Sequence, residues 1–195
     1  MNYDLIIIGA GPGGYVCAIR ASQLGQKVAI VDKEWLGGVC LNVGCVPSKS
    51  LLKNAEVAHI LRHRGDEFGF SCENLQLDYG VAVKRSREAA QRLTKGIAFL
   101  MKKNEITIYM GAARLTSSSS VELTGFDGEV STLTASNIVV ATGATPAAPA
   151  ALSVDRDRVL TYREAILQKH LPASVVIIGG GAIGVEFATI WNSYG

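Results

Sequence analysis

The sequence predicts an α/β protein: a parallel sheet carrying a β-meander, followed by the opening of a second β-α unit. Three observations predict it. Short continuous apolar runs, such as Leu5–Ile8 and Asn137–Ala141, read as strands buried on both faces. Two glycine-rich turns, at 9–14 and 179–184, each stand between an apolar run and a helical pattern. Between 112 and 133 the hydrophobic period drops to two, with turn residues at Ser117–Ser120 and Gly125–Gly128.

Taken in order, Asp4–Ile8 is the first strand and Gly14–Leu24 a helix that exits at Gly25. Lys27–Val31 is a second strand ending at Asp32, which completes a β-α-β unit. Residues 33–46 read as a loop. A helix starts at Pro47, with Leu51, Leu52, Ala55, Ala58 and Leu61 as its apolar stripe. A long helix over 83–103 carries Ala89, Ala90, Leu93, Ile97, Leu100 and Met101 on one face. Ile106–Met110 is a short strand before the meander. Pro146–Pro149 marks a boundary. The expected domains are therefore 1–148 and 149–195. The second holds a short helix (162–169), a strand (174–178) and a helix running to about Ser193.

The chain has 195 residues, 48% hydrophobic and 18% charged, which excludes disorder. Nineteen basic residues against seventeen acidic leave no polyanion footprint, so neither nucleic acid nor an anionic membrane is an expected partner. The first residues lack a basic segment and a long apolar run, and the apolar stretch 175–191 is broken by glycines and Glu186. No signal peptide and no membrane span are expected, and the localisation read from this is cytoplasmic. In a reducing compartment, a disulfide among Cys17, Cys40, Cys45 and Cys72 would serve redox chemistry rather than a structural framework.

Gly9, Gly11 and Gly14 form a G-x-G-x-x-G turn between strand and helix, with Pro12 at the helix start and Asp32 at the end of the next strand. In that context the pattern reads as Rossmann-like dinucleotide binding. Glycines let the backbone approach a pyrophosphate, the helix N-terminus supplies N–H groups and positive potential, and Asp32 accepts from ribose hydroxyls. Gly179, Gly181 and Gly184 repeat the pattern.

Cys40 and Cys45 are five residues apart with Gly44 between them, just ahead of the helix at Pro47. On an ideal helix they would stand about 140° apart, so pairing them needs the local distortion that Gly44 permits. So short a loop gains little from cross-linking, which favours a reducible, catalytic pair over a structural one. A zinc site and two independent thiols are the competing readings.

The segment Gly37–Leu52 resembles the redox-active disulfide signature of the class I pyridine nucleotide–disulfide oxidoreductases. Within that family, Pro47-Ser48-Lys49 and Gly181-Ala182-Ile183-Gly184-Val185-Glu186 most resemble the dihydrolipoyl dehydrogenase branch. The mercuric and glutathione reductase types are the alternatives, as is a non-catalytic flavin-binding fragment. The resemblance implies FAD on the first glycine turn, with Gly9, Gly11, Pro12 and Gly14 at the pyrophosphate and Asp32, where Glu is commoner, at the adenosine ribose. It implies Lys33, Gly38 and Cys40 along the cofactor, Ala113 at the adenine, and Thr142 and Gly143 closing over it. Cys45 would face the flavin and Cys40 would exchange with substrate. Lys49 would lie near the flavin, paired with Glu186, and Gly179, Gly181 and Gly184 would receive NAD. The implied partners are dihydrolipoamide or a lipoyl domain, with a homodimeric parent. The second unit lacks a closing strand, so the chain reads as the N-terminal part of a longer enzyme that would be inactive alone.

Overall fold

The computed structural model describes residues 2–149 and 151–195. They fall into two compact units that interleave along the chain: Met1–Asn42 with Gln91–Thr145, and Val43–Ala90 with Pro146–Gly195.

The first unit is built on five strands: β1 (Asn2–Ile8), β2 (Val28–Asp32), β3 (Thr107–Ser117), β4 (Ser120–Gly125) and β5 (Val130–Val140). Parallel pairing joins β5 to β1, β1 to β2 and β2 to β3, and antiparallel pairing joins β3 to β4 and β4 to β5. The result is a closed barrel. Closure depends on two long strands that change partner part-way. Residues 107–110 of β3 pair with β2 and 111–117 with β4, while β5 pairs with β4 through Val130–Thr134 and with β1 through Thr134–Val140. The parallel sheet and the meander are thus continuous, where the sequence reading had separated Ile106–Met110 from the strand after it.

Alternation along the strands sorts their side chains. Tyr3, Ile6, Ile8, Ala29, Val31, Val121, Leu123, Leu133 and Ala135 form one buried cluster. Ile7 and Ile30 point the other way and are fully buried as well. Each such isoleucine contributes about 1.5–3 kcal/mol. Helix α1 (Pro12–Gln23) packs on β1 and β2, burying Gly14, Ala18 and Ala21. Residues 33–46 are not all loop, because Gly38–Asn42 forms the short helix α2.

The second unit is helical. Helix α3 (Cys45–His63) packs on α7 (Ala182–Tyr194), burying Leu51, Ala55 and Ala58 on one side and Phe187, Ile190 and Ser193 on the other. The one-turn helix α4 (Gly65–Phe68) follows α3. Helix α5 (Tyr79–Lys103), whose residues up to Ala90 belong to this unit and the rest to the first, starts earlier than its apolar pattern suggested, and its Leu93 is exposed. At its start, the Tyr79 hydroxyl accepts from Trp191 Nε1 at 3.0 Å, and the Tyr79 ring meets Tyr194 edge-on. Helix α6 is only one turn (Tyr162–Ala165), closed by a capping box between Thr161 and Glu164. The strand expected at 174–178 is absent. Val176 and Ile178 are 90% and 67% exposed, and among the described residues no strand pairs with this segment. An apolar run becomes a strand only where another backbone supplies the ladder.

Candidate functional site: a glycine-turn cradle and a thiol-bearing helix

In the first unit, the turn after β1 is a cradle made by the absence of side chains. Gly9 sits at φ +108°, and a Cβ there would lie 2.2 Å from the Ala141 carbonyl oxygen. A Cβ on Gly14 would lie 1.8 Å from the Gly9 oxygen. Gly11 caps α1 without any side-chain bond, and Pro12 follows it at the first helical position. The cap residue itself therefore leaves the first N–H groups of α1 without a side-chain acceptor. Backbone also closes in from the following loop: Gly37 N donates to Ala10 O at 2.9 Å, and a Cβ on Gly38 would come within 2.5 Å of Gly11 Cα.

Asp32 stands at the end of β2, with its carboxylate committed to backbone. Oδ2 accepts from Ala10 N at 2.7 Å; Oδ1 accepts from Glu34 N at 2.8 Å and Trp35 N at 3.1 Å. It thereby ties the strand end to the glycine turn and to the loop leading to Gly38. Sequence reasoning missed this positioning role, along with that of Asn42, whose Nδ2 donates to Leu36 O and Gly38 O at 3.0 and 2.9 Å. The position of Asn42 between the two cysteines was the only signal. Of the other residues expected here, Lys33, Thr142 and Gly143 are exposed and Ala113 is half-buried opposite Leu123 of β4.

The two cysteines belong to consecutive helices. Cys40 is half-buried in α2, and Cys45 is exposed as the first residue of α3. Gly44 precedes α3 at φ −128°, ψ −119°, neither helical nor extended, and no side chain caps the helix. In the second unit, Ser48 is buried and its Oγ donates to Cys45 O at 3.2 Å. Lys49, one turn into α3, reaches α7, where its Nζ lies 2.5 Å from Glu186 Oε1.

The second glycine turn repeats the geometry of the first. Gly179 has φ +112°, Gly181 caps α7 at φ −75°, ψ 173°, and a Cβ on Gly184 would lie 2.4 Å from Gly179 O. The corresponding cap values at Gly11 are −72° and −175°. Unlike Gly11, Gly181 has open space around it. Cys17 is half-buried on α1 and Cys72 exposed. Among the described residues no group of three or more His, Cys, Asp or Glu side chains is arranged to hold a metal, and no helix is long and apolar enough to cross a membrane.

A side-chain-free turn at a helix start and a carboxylate at the next strand end are the marks of a dinucleotide-binding fold, and a cysteine opens helix α3 of the other unit. The family model for pyridine nucleotide-disulphide oxidoreductases matches residues 3–195, and the chain belongs to that family. It is 45% identical over 194 residues to a dihydrolipoyl dehydrogenase of Mycobacterium bovis, covering 100% of this chain and 41% of that protein. It is 46% identical over 198 residues to the dihydrolipoyl dehydrogenase of Mycobacterium leprae, covering 42% of it. The copper(II) complex of the HOCl-induced flavoprotein disulfide reductase RclA from Escherichia coli superposes with a TM-score of 0.86 at 25% identity, covering all of this chain and 41% of that one. The chain thus spans about two fifths of the length of the relatives it matches.

Proposed function

We propose that this chain is the N-terminal part of a dihydrolipoyl dehydrogenase, an enzyme that moves two electrons between dihydrolipoamide and NAD⁺ through a Cys40–Cys45 disulfide and FAD. The observation that carries this reading is the glycine cradle of the first unit, followed directly by a cysteine-bearing helix pair, in a chain 45% identical to proteins of that name.

The residues present fit FAD. At Gly9, Gly14 and Gly38 the backbone approaches too closely for any side chain, and the α1 N-terminus is uncapped. Gly9, Gly11, Pro12 and Gly14 would hold the pyrophosphate against the α1 N–H groups. Asp32 would accept from the ribose through the lone pairs its three N–H partners leave over. Lys33, Gly38, Ala113, Thr142 and Gly143 would border the rest of the cofactor. The chemistry FAD would supply when held by these residues is two-electron transfer between the thiols and a nicotinamide nucleotide.

The chain's own residues carry the sulfur chemistry. In the disulfide form, a substrate thiolate attacks the Cys40 sulfur and the Cys40–Cys45 bond breaks, leaving a mixed disulfide at Cys40 and a thiolate at Cys45. The second substrate thiol then displaces Cys40. Lipoamide leaves as the cyclic disulfide, with both protein sulfurs reduced: two electrons in, two protons released or retained. Lys49, oriented by Glu186, would place a positive charge near the flavin. Gly179, Gly181 and Gly184 would receive NAD. The domain reading of 1–148 and 149–195, the lipoyl-domain partner, the homodimer and the cytoplasmic location belong to this same proposal.

The test is reconstitution: the protein purified with excess FAD and gel-filtered. A yellow species retaining about one flavin per chain supports the reading, and a colourless one with no flavin after denaturation contradicts it. On the full-length enzyme, lipoamide, glutathione disulfide and Hg²⁺ assayed in parallel separate the branches, and only lipoamide should be turned over with NADH.

A further inference from the structure

We propose that His59 and His63 form a chelating site for a divalent transition metal of the copper, nickel and zinc class, on the second half of α3. The inference rests on neither the flavin nor the thiol reading. The two histidines are four apart on one helix, so their side chains share a face. Both are exposed, and their ring centroids lie 5.0 Å apart at an interplanar angle of 49°.

That spacing is what chelation requires. With metal–nitrogen bonds of about 2.0–2.1 Å, each imidazole centre stands about 3.2 Å from the metal, so a ligand angle of about 90–109° separates the centres by about 4.5–5.2 Å. The observed separation of 5.0 Å falls in that window. Imidazole nitrogens select copper, nickel and zinc over magnesium and calcium, and water completes the coordination.

The charged neighbours on the same stretch have partners of their own. Glu56, one turn before His59, pairs with Lys53 at 2.8 Å, and the Lys53 hydrogen bond lowers its carboxyl pKa. Arg62 donates to Tyr194 O at 2.7 Å, and Arg64 is held by both carboxylate oxygens of Glu67.

The test uses nickel(II) alone, titrated calorimetrically into the protein with all thiols alkylated, so that Cys40 and Cys45 cannot compete. One equivalent should bind. His59→Gln and His63→Gln should each weaken binding at least tenfold, whereas His170→Gln should change it less than twofold. Independently of any variant, substoichiometric nickel should broaden the ring-proton resonances of His59 and His63 together and leave those of His170 sharp. Undiminished binding in either single variant, or broadening of only one of the two rings, would overturn the site and leave the pair as a simple ring contact.

Discussion

Lys49 Nζ lies 2.5 Å from Glu186 Oε1, joining the first turns of α3 to the helix that follows the second glycine turn. The pair links residues 137 apart in sequence, one beside the cysteine motif and the other in the second nucleotide turn. Its side chains are 61% and 25% exposed, so it orients a charge more than it stabilises the fold. A double-mutant cycle of Lys49→Met and Glu186→Gln, read by thermal or denaturant unfolding, should give a coupling of no more than about 1 kcal/mol that shrinks in salt. Coupling above about 3 kcal/mol would mean that the pair is a structural clamp.

Gly14→Ala should be among the most damaging single-methyl changes available. The added carbon would sit 1.8 Å from the Gly9 carbonyl oxygen, which is backbone and cannot swing aside. A loss of about 3 kcal/mol in denaturant titration is expected, together with loss of flavin retention. Gly25→Ala is the control, since open space surrounds Gly25 although its φ of +83° disfavours a side chain. It should cost about 1 kcal/mol and leave flavin uptake intact.

Asp32→Ala strands the N–H groups of Ala10, Glu34 and Trp35. Ala10 is 1% exposed, so its donor has least access to replacement water. A destabilisation of about 2–3 kcal/mol is expected. Hydrogen exchange should show the Ala10 amide, protected in the parent, exchanging at least tenfold faster in the variant. An unchanged Ala10 amide would exclude the positioning role while leaving a ribose contact open to test by flavin affinity.

The first barrel unit should fail in strong alkali through a defined pair. Burial, aided by the hydrogen bond shared with Tyr3, pushes the Tyr109 phenol up to about 12, and the two hydroxyls lie 2.8 Å apart. A folded-state pKa above the ordinary value of 10 gives stability that is fully present below pH 10 and lost as pH rises through 12. Burial raises the Tyr79 and Tyr194 phenols as well, so the Tyr109 phenolate is read by difference: Tyr109→Phe should remove one late-titrating phenolate from the absorbance curve. The same variant should flatten the fall in stability across that window, and an unchanged fall would place its origin elsewhere.

Local chemistry made much of this legible in the sequence. The turn at 9–14 was readable because the strand before it, the helix after it and Asp32 at the next strand end must coincide for the motif to function. The Lys49–Glu186 pair followed from family resemblance, since no pattern rule connects residues so distant. The remaining features needed tertiary partners. The run 174–178 has the composition of a strand but pairs with no strand among the described residues, and it is exposed. The length of β3 and β5 is set by what pairs with each half, which periodicity does not encode. Helix α2 is too short for a hydrophobic period and hides behind Gly37-Gly38. The packing of α3 on α7 brings 43–90 together with 146–195, a contact between distant segments that local patterning does not encode.

The redox role of Cys40 and Cys45 is tested most directly by counting thiols. The air-oxidised protein, denatured and alkylated without reductant, should gain two adducts by mass, mapping to Cys17 and Cys72. After reduction it should gain four, with Cys40 and Cys45 accounting for the difference. Four adducts before any reductant, with no flavin released on denaturation, would contradict the account.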